Sequence, residues 1–292
     1  YQRVCQEQAD FGNDSQTPYN GACRRTLRSH LVGAWTFSGH RRKDGRVDVM
    51  EDLLYGALKI KQPDENMGPR VNLDTILLAH FTKPRRRERI LELGCAHGAV
   101  SLILAKRGYC IEGADIQPHL VDMAKENALL NSLEDKTEFF VRDLRNYKKY
   151  WSAQSFDRVV MNPPYDELSE SRRSPSDALA AAMHGTECTL EDVIIGSKYL
   201  LKNRGKLDLV IRTNRMGELF ALLDKHKMPP KVMRPVYPKP CSKSTVVLVE
   251  AMRAASHGLT IESPIFVLGA DGRETEELLE AYKIEENEKC PS

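Results

Sequence analysis

No feature of this 292-residue chain stands in strong excess, and its shortages are informative. Lysine and arginine number 43, aspartate and glutamate 41, a net charge of +2. No global field therefore draws the chain to nucleic acid, and any such surface must be a local patch. The seven cysteines (Cys5, Cys23, Cys95, Cys110, Cys188, Cys241, Cys290) include no Cys-x-x-Cys pair. Zinc and other metals are not expected, the odd count argues against a disulfide framework, and reduced thiols are the simplest reading. No apolar run approaches the ~20 residues that span a bilayer; the longest, Ala99–Ala105, has the length of a core helix. No signal-peptide pattern opens the chain, which begins at Tyr1, and Met50 offers an alternative native start. The expectation is a soluble, cytoplasmic monomer with no membrane partner. Internal repeats are absent.

What is present suffices for one large α/β core, since 41% of the residues are hydrophobic. Residues 1–46 are polar and carry Arg24, Arg25, Arg28, Arg41, Arg42 and Arg46 without sustained periodicity, so they read as an extension that is loose or only partly ordered. From Val47 the pattern becomes regular and predicts a domain over 47–285, with 286–292 as a tail. Strands are predicted at 89–93, 109–115, 137–142, 156–161 and 206–211, and helices at 99–107, 118–131, 190–202 and 216–227. That alternation means βαβ units and a parallel sheet. Residues 231–236 and 245–250 are β-type runs with no helix between them, which fits an antiparallel pair at the sheet edge. A seven-stranded, mostly parallel, Rossmann-like sheet ending in an antiparallel hairpin, in the order 3-2-1-4-5-7-6, is the class I S-adenosylmethionine-dependent methyltransferase fold. A short helix is expected over 274–282.

Four places carry candidate chemistry. Glu92-Leu93-Gly94-Cys95-Ala96-His97-Gly98 follows the first strand of the regular region and opens a helix. Its glycines allow a sharp turn and close ligand approach, and the helix N-terminus suits a carboxylate. The G-x-x-x-G spacing differs from the G-x-G-x-x-G of dinucleotide folds, which disfavours NAD and FAD. Asp115 ends the next strand, 21 residues after Gly94, where an acid can accept from two ribose hydroxyls. Ile116 follows it and can pack on an adenine face. Asp143, with Leu144, follows the third strand and can accept from an adenine amino group. Each acid alone reads as a solvated loop residue, but three sites at consecutive strand ends point to one ligand edge.

The strongest signal is Asn162-Pro163-Pro164-Tyr165, directly after Val159-Val160-Met161. Two prolines remove backbone donors and hold the chain extended. The Asn162 side-chain carbonyl and the Pro163 backbone carbonyl can then accept both hydrogens of one amino group. Its lone pair is freed from ring conjugation and points at the methyl sulfonium, while Tyr165 offers a face for stacking a flipped base. His97 and His184 have no evident partner and receive no chemical role. Basic residues concentrate in 225–243, so the expected RNA patch comprises Lys231, Arg234, Lys239 and Lys243, together with Arg212 and Arg215 after the fifth strand. Lys225, Lys227 and His226 lie in the same segment, which has no acid, and five prolines (Pro229, Pro230, Pro235, Pro238, Pro240) stiffen it.

These residues resemble the tRNA(Val) adenine-N6 methyltransferases, over about Val47 to Tyr282. The likeness rests on Gly56-Ala57-Leu58-Lys59-Ile60-Lys61-Gln62, Leu73-Asp74-Thr75-Ile76-Leu77-Leu78-Ala79, Leu91-Glu92-Leu93-Gly94-Cys95, Asp115-Ile116-Gln117-Pro118 and Asn162-Pro163-Pro164-Tyr165. Downstream it includes Thr189-Leu190-Glu191-Asp192, Tyr237-Pro238-Lys239 and Val247-Leu248-Val249-Glu250-Ala251. Ala96 stands where the family usually has glycine, Asp115 where glutamate is usual, and Tyr237 where histidine is often found. The resemblance implies S-adenosylmethionine as cofactor, tRNA as partner, and direct methyl transfer to N6 of the adenosine at position 37, beside the anticodon. Release-factor glutamine methylation, which also uses Asn-Pro-Pro-Tyr, is the second reading; residues 1–46 are too short and polar for that family's helical N-terminal domain. Ribosomal RNA or DNA amino-methylation and a non-catalytic RNA-binding module are further alternatives.

Overall fold

The computed structural model describes residues 36–41, 47–64, 67–163 and 188–284. Within the extension 1–46, Thr36–Arg41 forms strand β1. It pairs antiparallel with β2 (Val47–Leu53), which pairs with β3 (Leu58–Lys61).

Helix α1 (Leu73–Phe81) follows, started by the Asn72 side chain accepting from the Thr75 N–H. The regular alternation then begins: β4 (Ile90–Leu93), α2 (Ala99–Lys106), β5 (Ile111–Asp115), α3 (Pro118–Leu130), β6 (Thr137–Val141), the short α4 (Tyr147–Tyr150) and β7 (Phe156–Met161). After it come α5 (Leu190–Leu200), β8 (Leu201–Arg212), α6 (Met216–Lys225), β9 (Pro230–Tyr237) and β10 (Val246–Met252). β11 (Thr260–Ile261), β12 (Ile265–Phe266) and α7 (Glu276–Ala281) complete the described chain.

The main sheet runs β11-β9-β10-β8-β7-β4-β5-β6, with β12 also on β9. β4 through β8 are mutually parallel, and β10 is antiparallel to both β8 and β9. Setting aside β11 and β12, this is the expected 3-2-1-4-5-7-6 order, and the two runs near 231–250 pair as expected. The sheet is wider than the seven strands read from sequence because β11 and β12 add to its edge; two residues each are too short for any periodicity to reveal. β8 starts at Leu201 and takes up residues assigned from sequence to the preceding helix and turn.

Both faces are covered, as a parallel sheet requires. Val160, Val210 and Leu248 join the cluster containing Leu77, Ile103 and Val121 of α1, α2 and α3. Their neighbours Val159, Leu209 and Val249 join the cluster containing Val193 and Leu219 of α5 and α6. The two-residue period of the strands thus feeds two cores. All parallel strands end on one edge. β10 starts there too, since Val246 pairs with Arg212, so the loop 238–245 lies on the same edge. No helix among the described residues is long and apolar enough to cross a membrane.

Candidate active site

The turn after β4 is built from inside. Gly94 and Cys95 N–H both donate to the Ala114 carbonyl, at 2.8 and 3.1 Å, which ties the turn to β5. Gly98 caps α2 with φ +86°, and a Cβ there would lie 3.0 Å from Phe139 and 3.1 Å from Ala124. Glycine is required on both counts. Ala96 sits at φ +47°, a left-handed conformation that costs an alanine roughly 1–2 kcal/mol. Part of that cost is offset by Asp115. Its Oδ2 accepts from Ala96 N–H and its Oδ1 from Gln117 N–H, both at 2.9 Å. Asp115 is buried, and its two oxygens fix the turn.

Glu92 is also buried and accepts from the N–H and hydroxyl of Ser101 in the first turn of α2. Burial pushes its carboxyl up to about 8; the Ser101 hydrogen bonds oppose the shift and the Asp115 charge adds to it. It is thus protonated at neutral pH and holds α2 to β4. Cys95 is buried, with its thiol pushed up chiefly by burial, so it is inert. Asn127, fully buried on α3, donates to the carbonyls of His97 and Lys61 and accepts from Lys61 N–H, locking the turn to β3. His97 was given no role from sequence. It is 3% exposed, and neither ring nitrogen has a hydrogen-bond partner among the described residues. Burial, with the Arg70 charge adding to it, pushes its pKa down to about 4, so the ring is neutral.

Asp143 has a different job from Asp115. It caps the turn Leu144–Asn146 by accepting from Arg145 N–H, and its carboxylate grips the Arg145 guanidinium at 2.6 Å. The Arg145 hydrogen bond holds its pKa below the usual carboxylate range. Ile116 is 49% exposed on the edge itself, and Leu144 is half-buried.

Asn162 and Pro163 leave β7 on the same edge, half-buried and buried respectively. Register settles their position: Leu93 pairs with Met161, so Gly94 and Asn162 are neighbours across adjacent strands. The Met161 methyl lies 3.7 Å from where a Cβ on Gly94 would stand. Pro164 and Tyr165 lie outside the described residues, as does His184.

The basic residues expected as an RNA patch divide in two. Arg215 is buried against Glu218 at 2.9 Å, Lys231 donates to the Ser256 carbonyl, and Arg234 pairs with Glu277 and donates to the Ser263 carbonyl. Lys225 binds Glu191. Lys239 and Lys243 are exposed on the loop 238–245, beside half-buried Arg212. That loop is tied by the Ser242 hydroxyl to the Lys239 carbonyl and by the Ser244 hydroxyl to Thr213.

The family model described as methyltransferase small domain matches residues 72–226, more than half of the chain. The chain belongs to the methyltransferase small domain family. Among curated relatives it is 31% identical over 148 residues to a tRNA1(Val) (adenine(37)-N6)-methyltransferase of Bacteroides thetaiotaomicron, covering 50% of this chain and 60% of that protein. A protein of the same description from Parabacteroides distasonis is 26% identical over 182 residues, covering 62% of this chain and 76% of the relative. The chain thus spans less than two thirds of the first of these. Among solved structures, a protein described as a predicted O-methyltransferase from Agrobacterium tumefaciens superposes with TM-score 0.59 at 19% identity, over 74% of this chain and all of that one. This last likeness concerns the fold.

For a family member the expected cofactor is S-adenosylmethionine, and the residues present fit it. The left-handed turn at Gly98 leaves no side chain over the start of α2, the exposed Ile116 offers an apolar face beside Asp115, and His97 brings two unpaired ring nitrogens to the turn. No group of His, Cys, Asp and Glu suited to a metal ion occurs among the described residues.

Proposed function

We propose that this chain binds S-adenosylmethionine across Glu92, Gly94, Cys95, Gly98, Asp115, Ile116, Asp143, Leu144 and Asn162, and methylates the N6 amine of an adenine in tRNA. The names of the relatives support position 37 of a valine tRNA as the target. The cofactor supplies an electrophilic methyl group on a sulfonium. Asp115 orients the ribose hydroxyls, while Glu92 and Cys95 act through the turn they hold. Asp143, already engaged by Arg145, contributes through its remaining lone pairs.

One observation carries the reading: the register that sets Asn162 beside Gly94. Adjacent strands stand ~4.8 Å apart, so an amine held by Asn162 lies next to a ligand held by the glycine turn. The Asn162 side-chain carbonyl and the Pro163 backbone carbonyl accept the two amine hydrogens, Pro164 keeps the segment extended, and Tyr165 stacks on the base. The nitrogen becomes more acidic as it is methylated, so its proton leaves to water without a dedicated base. Arg212, Lys239 and Lys243 form the proposed RNA side, with the exposed Lys239 and Lys243 making the phosphate contacts; Arg215, Lys231 and Arg234 are engaged within the fold. Incubation with labelled S-adenosylmethionine and, separately, total tRNA, ribosomal RNA or a release factor tests this. Label is expected in tRNA; label in the release factor alone overturns it in favour of glutamine methylation.

A further inference from the structure

At the β6 end of the same edge, the sequence Arg142-Asp143-Leu144-Arg145-Asn146-Tyr147-Lys148-Lys149-Tyr150-Trp151 carries four cations and a single acid. The structure turns this run into a surface of flat, charged faces. The Arg142 guanidinium lies over the Phe140 ring at 3.9 Å, over Trp151 at 4.6 Å and within 5.4 Å of Tyr150. The Lys148 ammonium stands 5.8 Å from Tyr147 and 5.9 Å from Tyr199, whose rings lie 4.9 Å from each other. Trp151 is buried and its indole N–H donates to Glu112 at 3.3 Å, so the base of the stack is anchored. Tyr150, 39% exposed, meets the Trp151 ring edge to face at 5.8 Å. Asp143, the one acid of the run, is taken up by Arg145. No carboxylate pairs with Lys148 or Lys149 among the described residues, and both are exposed.

An ordinary solvated face does not need aromatic rings interleaved with its cations. Aromatic rings beside unpaired cations suit single-stranded nucleic acid, where bases stack on the rings and phosphates meet lysines. The position agrees. Arg142 N–H donates to the Asp115 carbonyl at 2.9 Å, so the run is continuous with the proposed cofactor site. From β7 to β6 are three strand spacings, roughly 14 Å along the edge, and from Arg142 the run leads down the sheet face toward Glu112 and Phe156, a path that several nucleotides flanking a flipped base cross. We infer that Arg142, Lys148, Lys149 and Tyr150 form a docking platform for the single-stranded RNA flanking the target base, opposite the Lys239–Lys243 loop. The inference rests on the RNA substrate proposed above.

Binding of a fluorescein-labelled single-stranded RNA oligonucleotide, and in a second arm of total tRNA, is measured by anisotropy over a range of salt concentrations. Each phosphate contact on a single strand contributes about 0.7 to the slope of log affinity against log salt, so K148Q/K149Q should flatten the slope by about 1.4. Tyr150→Leu should weaken binding about tenfold with the slope unchanged, because it removes stacking and no charge. S-adenosylhomocysteine affinity measured by calorimetry should stay constant in both, and K148R/K149R should restore the slope. An unchanged slope in K148Q/K149Q overturns the platform. So does poly-glutamate binding with an equal loss in that variant, which would mean a generic anion surface. The two proposals fail separately. Labelled tRNA with an unchanged slope removes the platform alone; a flattened slope with no tRNA labelling keeps the platform and removes the methylation target.

Discussion

The two halves of the strand edge that carries the site are built on opposite plans. Around β4 and β5 the polar groups at the turns are bound inward: Glu92 to Ser101, Asp115 to Ala96 and Gln117, Gly94 and Cys95 to Ala114, Asn127 to His97 and Lys61. Around β7, β8 and β10 the chain presents Asn162, the donor-free Pro163, Arg212 and the exposed Lys239 and Lys243. The first half is preorganised, and its groups hold the turns on which the proposed cofactor site is built. In the second half Lys239 and Lys243 project from a loop tied by Ser242 and Ser244. Substitutions in the first half should therefore cost stability and cofactor affinity together, whereas those in the second should cost function alone.

The sharpest attempt to break that contrast is Asn162→Ala. If the amide acts on the reacting amine, its loss is mainly a transition-state loss. Turnover should fall at least about 100-fold, the scale of removing one preorganised hydrogen-bonding group from a reacting centre. S-adenosylhomocysteine and RNA affinities and the melting temperature should barely move. Equal losses in kcat and in binding would make Asn162 a structural residue and erase the difference between the halves.

Asp115→Ala tests the other side. It removes the proposed ribose acceptor and also strands the Ala96 and Gln117 N–H groups, one of them beneath a left-handed alanine. Calorimetry should show cofactor affinity weaker by about 1–3 kcal/mol, with a stability loss of similar size by urea unfolding. Asp143→Ala, which removes a partly exposed grip on Arg145 and the cap of a short turn, should cost less in both. A larger effect from Asp143 than from Asp115 would reverse their assigned roles.

Glu92 makes the inward plan visible through pH. The folded carboxyl keeps its proton up to about 8, against an ordinary 4.5 in the unfolded chain. Its contribution to stability is fully present below the unfolded value and is lost as pH rises through the folded one. Between those limits the slope reaches up to about 1.4 kcal/mol per pH unit. Glu92→Gln keeps an acceptor for Ser101 and titrates nothing, so the difference between variant and parent should shift in the variant's favour from about pH 5.5 to about pH 7.5. His97 works in the opposite sense, since its depressed pKa costs stability as pH falls from 6.5 toward 4, but it is common to both proteins and cancels. A parallel pair of pH profiles by urea unfolding would mean that Glu92 is ionised in the fold.

Much of this was legible in the chain because the signals are local. Proline at the start of α3, the glycines around α2 and the continuous apolar runs of β7 and β10 each fix an element within a few residues. The misses are long-range. The segment 225–243 contains no acid, yet Glu191, Glu262 and Glu277 arrive from other elements to pair with Lys225 and Arg234. His97 read as a lone residue because its burial depends on Asn127 and β3, and the run 142–151 read as one acid among loops because its stack needs Phe140 and Tyr199. The β1–β3 sheet was hidden by polar strands whose pairing shows only in register.

The smallest expected effect lies on the outward plan, at Lys239 and Lys243. Of the basic residues in 225–243 that were expected to touch RNA, these two are exposed and sit on the edge that carries Asn162. A generic lysine pair would be a solvated face. Here the Ser242 hydroxyl binds the Lys239 carbonyl at 2.6 Å and the Ser244 hydroxyl binds Thr213 at 3.0 Å, so the loop is held while its charges project. Each phosphate contact adds about 0.7 to 0.9 to the salt slope, depending on whether the strand is single or double. Lys239→Gln with Lys243→Gln should then flatten the slope for tRNA by about 1.4 to 1.8, weaken binding only several-fold at moderate salt, and leave melting temperature and S-adenosylhomocysteine affinity at their parent values. The same exchange at Lys231, which is tied to the Ser256 carbonyl, should leave the slope alone. If Lys231→Gln flattens the slope and the Lys239/Lys243 pair does not, exposure on the edge is the wrong criterion, and the RNA contacts follow sequence clustering instead.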